Sequence, residues 1–189
     1  AGAYSVTFDL TVERAHRDSL ISYAFFWGDG GPYMLAHTGS RPAIYGLMDP
    51  IMRSVRGAEY QDLPALDIAR FGSVSAAYEP ELGRVLFGLT KSGSSDNDLI
   101  LWIDVDSAIA FAAGQRGYPI WGLRDNENLG YFPADVLFTV QADSAGKPAT
   151  TGQQRVFGGR NGVIYELHQP TLFKDVGENI PFEVVRRGY

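Results

Sequence analysis

The side chains that could carry chemistry are few and scattered. Three histidines are present, His16, His37 and His168, and none has a second ligand at a spacing such as His-x-x-x-His. They read as surface or loop residues. No Gly-x-Ser-x-Gly elbow marks a nucleophile. Carboxylates gather at Asp96-Asn97-Asp98, at Asp104 and Asp106, and along Asp125-Asn126-Glu127-Asn128. Hard oxygen ligands in loops can bind Ca²⁺, but none of these runs has the spaced carboxylates of an EF-hand loop. They read as solvated turn residues, and a pair of them serving a glycosidase is the weaker alternative. Gly28-Asp29-Gly30-Gly31 and Gly158-Gly159-Arg160-Asn161-Gly162 are glycine-rich. Neither has the Gly-x-x-x-x-Gly-Lys pattern and neither opens a helix, so they are expected as hairpin turns rather than phosphate cradles. Trp102 lies in an apolar run and is expected in the core. Trp27, Tyr33 and Trp121 border glycines or turns, and are the candidates for an interface or for stacking on sugar rings. No catalytic, cofactor-binding or metal-ligating residue is assigned, and the reading is not that of an enzyme.

The elements that must position these residues read as strands. The chain has 189 residues, of which 45% are hydrophobic and 20% charged, so a globular core is expected. No apolar stretch is long enough to span a membrane as a helix. A net charge of −6 argues against nucleic acid or an anionic membrane as the main partner. Cysteine is absent, which removes disulfides and thiolate chemistry. Tyr4, Val6, Phe8, Leu10 and Val12 alternate with polar residues, the period of a half-buried strand. Further strands are expected over 22–27, 32–36, 74–78, 84–89, 99–105, 135–141, 154–159, 163–167 and 180–186. Leu99-Ile100-Leu101-Trp102-Ile103 is a continuous apolar run, which predicts burial on both faces. Asn161-Gly162 between two apolar runs is the strongest hairpin signal in the chain. Asp49-Pro50 followed by Ile51, Met52, Val55, Glu59 and Leu63 predicts one short helix over 49–63. Residues 107–113 fit either a helical turn or an edge strand, and 117–133 read as irregular.

Tyr78–Gly88 and Gln154–Gly159 echo each other, each placing Arg-Val before an aromatic and a glycine. Their separation does not match one blade period of roughly 40–50 residues, so the repeat is degenerate. The expected fold is mainly β, with antiparallel sheets arranged as β-propeller-like blades, open or partial, in a single domain over 1–189. Within it, 1–39 form N-terminal strands and 40–189 the blades. About four four-stranded blades fit this length.

The order of these motifs resembles the propeller portion of tail nozzle or tail tube proteins of short-tailed bacteriophages. The residues that carry the resemblance are Ser40-Arg41-Pro42-Ala43-Ile44 leading into a helix, and Ala76-Ala77-Tyr78-Glu79-Pro80-Glu81-Leu82-Gly83-Arg84-Val85-Leu86-Phe87. Leu99–Asp104, Arg155–Leu167 and the closing Ile180-Pro181-Phe182-Glu183-Val184 follow. The family pattern is Tyr-x-Pro, an aliphatic return strand, then a Gly-Gly-x-x-Gly hairpin near the end. The resemblance covers about 40–185. It implies a structural virion protein, a subunit of a tail assembly, whose partners are copies of itself in a ring and neighbouring tail proteins. It implies no cofactor, no membrane and no specific nucleic acid. The family's chains are usually several times longer. This chain, which begins at Ala1 and ends in the strand-like Glu183–Tyr189, is then expected as a fragment or as a small relative that completes its blades by assembly. The alternative is a carbohydrate-binding module of a tail or receptor-binding protein, using Trp27, Tyr33 or Trp121. A propeller-type hydrolase is a third class, needing converging carboxylates that a sequence cannot display.

Overall fold

The structure is a computed structural model and describes residues 11–16, 19–28, 30–38, 41–47, 65–125, 134–142, 153–167, 174–175 and 178–179. The expected helix over 49–63 and the expected closing strand over 180–186 lie outside the described residues, as does the first part of the strand expected from Tyr4.

Mainly β architecture is what these residues form. β1 (Thr11–His16), β2 (Ser19–Gly28), β3 (Gly31–Thr38) and β4 (Arg41–Gly46) make a four-stranded antiparallel meander. β5 (Ser75–Glu79), β6 (Arg84–Leu89), β7 (Leu99–Asp104) and β8 (Trp121–Asp125) make a second. β9 (Val136–Ala142), β10 (Gln153–Arg160) and β11 (Val163–Glu166) make a three-stranded sheet in the order β11-β10-β9. β12 (Lys174–Asp175) and β13 (Glu178–Asn179) are a short hairpin. A 3-10 helix (Ile68–Ser73) precedes β5, and α1 (Val105–Ala112) follows β7. Among the described residues no sheet closes on itself as a barrel.

Turn chemistry sets the registers. The β5–β6 turn closes with the Gly83 amide donating to Pro80 O at 3.3 Å, and Gly83 takes φ 62°. The β10–β11 turn holds two left-handed residues, Asn161 at φ 51° and Gly162 at φ 78°, which a two-residue hairpin of this hand needs. It fixes Arg160 opposite Val163 and Phe157 opposite Glu166.

The three sheets stack in chain order. The first sheet turns Tyr23, Phe25, Trp27, Met34 and Ala36 onto Val85, Phe87, Leu89, Leu99, Leu101 and Ile103 of the second. The opposite face of the second sheet turns Ala77, Leu86 and Ile100 onto Leu137 and Val156 of the third. The second sheet is therefore a middle layer buried on both faces, as the continuous apolar run of β7 predicts.

Three segments fold differently from, or more definitely than, their sequence reading. Arg41–Gly46 is a strand, although only a lead into a helix was expected there. Among the described residues it is an edge strand, where Pro42 costs no ladder bond. Trp121–Asp125, within the segment expected as irregular, is β8 and pairs along β7 from Trp121↔Ile103 to Asp125↔Leu99. Its strand character was hidden by Gly122, which the Trp102 ring covers, so closely that a Cβ there would collide with the indole. Residues 107–112 resolve as helix, because Asp104 caps it by accepting from the Ser107 amide at 2.7 Å.

Gly88 lies against the segment that leads into β9. A Cβ there would fall inside the contact radius of Ala134 O and Ser75 Oγ, which are themselves hydrogen-bonded at 2.7 Å. Gly88→Ala is expected to destabilise the fold by about 1–3 kcal/mol through overpacking, read as a lowered urea midpoint with an unchanged slope.

Candidate functional site: the polar junction between the second and third sheets

The loop from Thr90 to Asp98 joins β6 to β7 and carries the Asp96-Asn97-Asp98 run. It leaves the sheet with the Asp67 amide donating to Thr90 O at 2.9 Å and the Ser92 amide to Ala65 O at 2.8 Å. It returns with the Asp98 amide donating to Leu89 O at 3.0 Å. Each of the three side chains has a different task.

Asp98 braces the loop from inside. Its Oδ1 accepts from the Lys91 amide at 2.9 Å, its Oδ2 accepts from Ser94 Oγ, and Lys91 Nζ stands 3.8 Å away. Asn97 is buried and ties three segments together. Its Oδ1 accepts from Thr90 Oγ1 at 2.7 Å. Its Nδ2 donates to Ser73 O at 3.0 Å and to Ala134 O at 3.2 Å. Its amide donates to Asp135 Oδ1 at 2.9 Å. Asp96 points outward and accepts from Ser95 Oγ and from Arg160 Nη2. Arg160, at the end of β10, also stands 3.5 Å from Asp135 Oδ2. Arg70 of the 3-10 helix donates to Ser95 O. The loop, the 3-10 helix, the start of β9 and the end of β10 are thereby clamped at one corner. Two more links hold the same two sheets: Thr139 Oγ1 donates to Tyr78 O, and Arg124 Nη1 donates to Leu167 O at 3.0 Å.

These contacts tie segments of the one chain to each other. The hydrogen bond from Arg160 holds the Asp96 carboxyl below the usual carboxylate range, with Ser95 adding to it. It is an anion near neutrality, unsuited to giving up a proton there. Among the described residues no group of three His, Asp or Glu side chains is placed to hold a metal ion. Asp104 caps α1, and Asp106 is the exposed residue of that helix's otherwise buried first turn. Asp125 ends β8, and 126–128 lie outside the described residues. His16 and His37 fall in β1 and β3, and His168 lies outside the described residues.

The aromatic candidates separate. Trp27 is only 1% exposed, which corrects its place among the candidates for an interface or for stacking on sugar rings: it is a packing residue. Strand alternation turns it inward with Tyr23 and Phe25. It packs edge-on to Phe71 with centroids 5.3 Å apart, and tilted to Phe87 at 5.4 Å. Its Nε1 is buried with no partner among the described residues. Tyr33 lies on the other face, half-buried, stacked on Phe26 at 5.4 Å and spread over Gly28, Gly30 and Gly46. Trp121 is half-buried against the core between the first two sheets. Trp102, expected as core, is also half-buried: Arg84 sits 4.0 Å above its ring and Gly122 lies against it. These rings do not converge on one site.

Sequence reasoning missed Arg160, Asp135 and the role of Asn97. The signal within reach was Arg160 itself, a cation fixed at the mouth of the Asn161-Gly162 turn. It missed too that β9–β11 leave apolar side chains in solvent: Val136 and Ile164, 55% and 61% exposed, flank Gly159, and Phe138 stacks on Phe157 at 5.8 Å. Compared with known proteins, the chain matches no family profile, no curated protein and no solved structure.

Two outcomes test the junction. Asn97→Ala leaves Thr90 Oγ1 and the carbonyls of Ser73 and Ala134 without this partner, and is expected to cost roughly 1–3 kcal/mol, measured by denaturant unfolding. Asp96 is expected to titrate below an ordinary aspartate in a carboxyl NMR titration, and Arg160→Gln is expected to move it upward. The sign follows from the depressed folded pKa: the contribution of Asp96 to stability is present above its unfolded pKa and is lost as pH falls through the folded one.

Proposed function

We propose that the chain is a structural virion protein, a subunit of a bacteriophage tail nozzle or tube, whose sheets serve as propeller-like blades. One observation carries the reading. Consecutive antiparallel meanders stack face to face in chain order, with the middle one buried on both sides. Successive blades of a propeller are related in this way. The segments behind the resemblance are consistent with it: Tyr78–Phe87 spans the β5–β6 hairpin, and Arg155–Leu167 contains the tight β10–β11 hairpin. The partners in this reading are copies of the chain in a ring, meeting through two different surfaces, and the neighbouring tail proteins. The corresponding location is the virion. Exposed apolar side chains such as Ile44, Val136 and Ile164 support an assembling role.

A second reading, a carbohydrate-binding module, is favoured by the half-exposed Phe26–Tyr33 stack. The mass of the purified chain in solution, by light scattering, distinguishes them. A ring-sized species that electron microscopy resolves as an annulus is expected. A monomer at every concentration that binds an immobilised glycan, and loses it on Tyr33→Ala, would overturn the tail reading for the second.

A further inference from the structure

We infer that Asn161 is a site of spontaneous deamidation whose rate is set by the Arg160 clamp. Asn161-Gly162 is the sole Asn-Gly pair in the chain. Both residues are exposed and lie outside the β10–β11 ladder, which closes at Arg160↔Val163. Gly162 puts no side chain beside its own nitrogen, and the space where a Cβ would stand is open to 4 Å. The chemistry needs only water. The Gly162 nitrogen, after losing its proton, attacks Asn161 Cγ. Nδ2 leaves as ammonia with a proton from solvent, and a five-membered succinimide forms. Water then opens the ring at one carbonyl or the other, leaving aspartate or isoaspartate at position 161.

The fold opposes the first step. Attack requires the main chain to rotate about Asn161 until the Gly162 nitrogen meets Cγ. The turn holds both residues left-handed, at φ 51° and φ 78°, and that rotation breaks the Arg160↔Val163 pairing. Arg160 is itself fastened to Asp96 and Asp135 across the sheet junction. Opening the hairpin end therefore means loosening the clamp, and the reaction samples the fraction of molecules in which that has happened. The product acts back on the same place. It adds a carboxylate next to Arg160, in competition with Asp96 and Asp135. In the isoaspartyl form it also adds one backbone atom to a turn that tolerates two residues.

The test is peptide mapping by mass spectrometry after incubation of the intact folded chain at mildly alkaline pH, with the same chain in urea as the unhindered reference. Conversion is expected at Asn161 ahead of the buried Asn97, about tenfold or more slower folded than in urea. It is expected several-fold faster in folded Arg160→Gln than in the wild type. Asp96→Asn is the second variant should Arg160→Gln not fold. Equal rates in the folded and urea-treated chains would overturn the gating, and so would a folded clamp variant that converts at the wild-type rate. Conversion at Asn97 before Asn161 would overturn the site.

Discussion

Four apolar side chains of β7 cannot reach water on either side of their sheet. Leu99, Leu101 and Ile103 face the first sheet and Ile100 the third, each at most 2% exposed. Burying a side chain of this size is worth about 1.5–3 kcal/mol, and the gain exists only if a layer lies on both sides. The rest of the architecture follows from that requirement. β6 supplies the matching rows, Val85 and Phe87 one way and Leu86 the other. The first sheet lends its aromatic face to one side, and Leu137 and Val156 cover the other.

A middle layer with two dry faces leaves its connections as the places for polar groups. The β6–β7 loop is bent back under the 3-10 helix and pinned by Asn97, whose buried amide is satisfied at both ends. A buried amide with all its partners in place favours one arrangement of the chain over its alternatives. The carboxylates that stand out in the sequence as ligand candidates are used in the same way. Asp98 shapes the loop, Asp104 caps α1, and Asp96 pairs with Arg160, which Asp135, outside that set, also approaches. At this junction charge is spent on fastening sheets to each other.

What was legible in the sequence was what depends on local pattern. The strands expected over 22–27, 32–36 and 154–159 are β2, β3 and β10, the continuous apolar run marked β7 as doubly buried, and Asn161-Gly162 marked a tight hairpin. What was illegible depends on contacts from distant segments. Trp27 borders a glycine turn, which suggests exposure, but Phe71 and Phe87 arrive from the second half of the chain to enclose it. β8 has too few apolar residues to read as a strand, because one of its positions must be glycine to seat Trp102. Asp135 and Arg160 are far from Asp96 in sequence, and only the stacking of the sheets brings the three together.

Every strand of the three sheets pairs with a strand adjacent to it in sequence. Such pairings close short loops, and the entropy of loop closure stays small. Each meander can assemble from residues already in hand, without waiting for a distant strand. A chain of this topology can thus acquire its layers in order as it leaves the ribosome. The second layer stays bare on one face until the segment carrying Leu137 and Val156 has emerged.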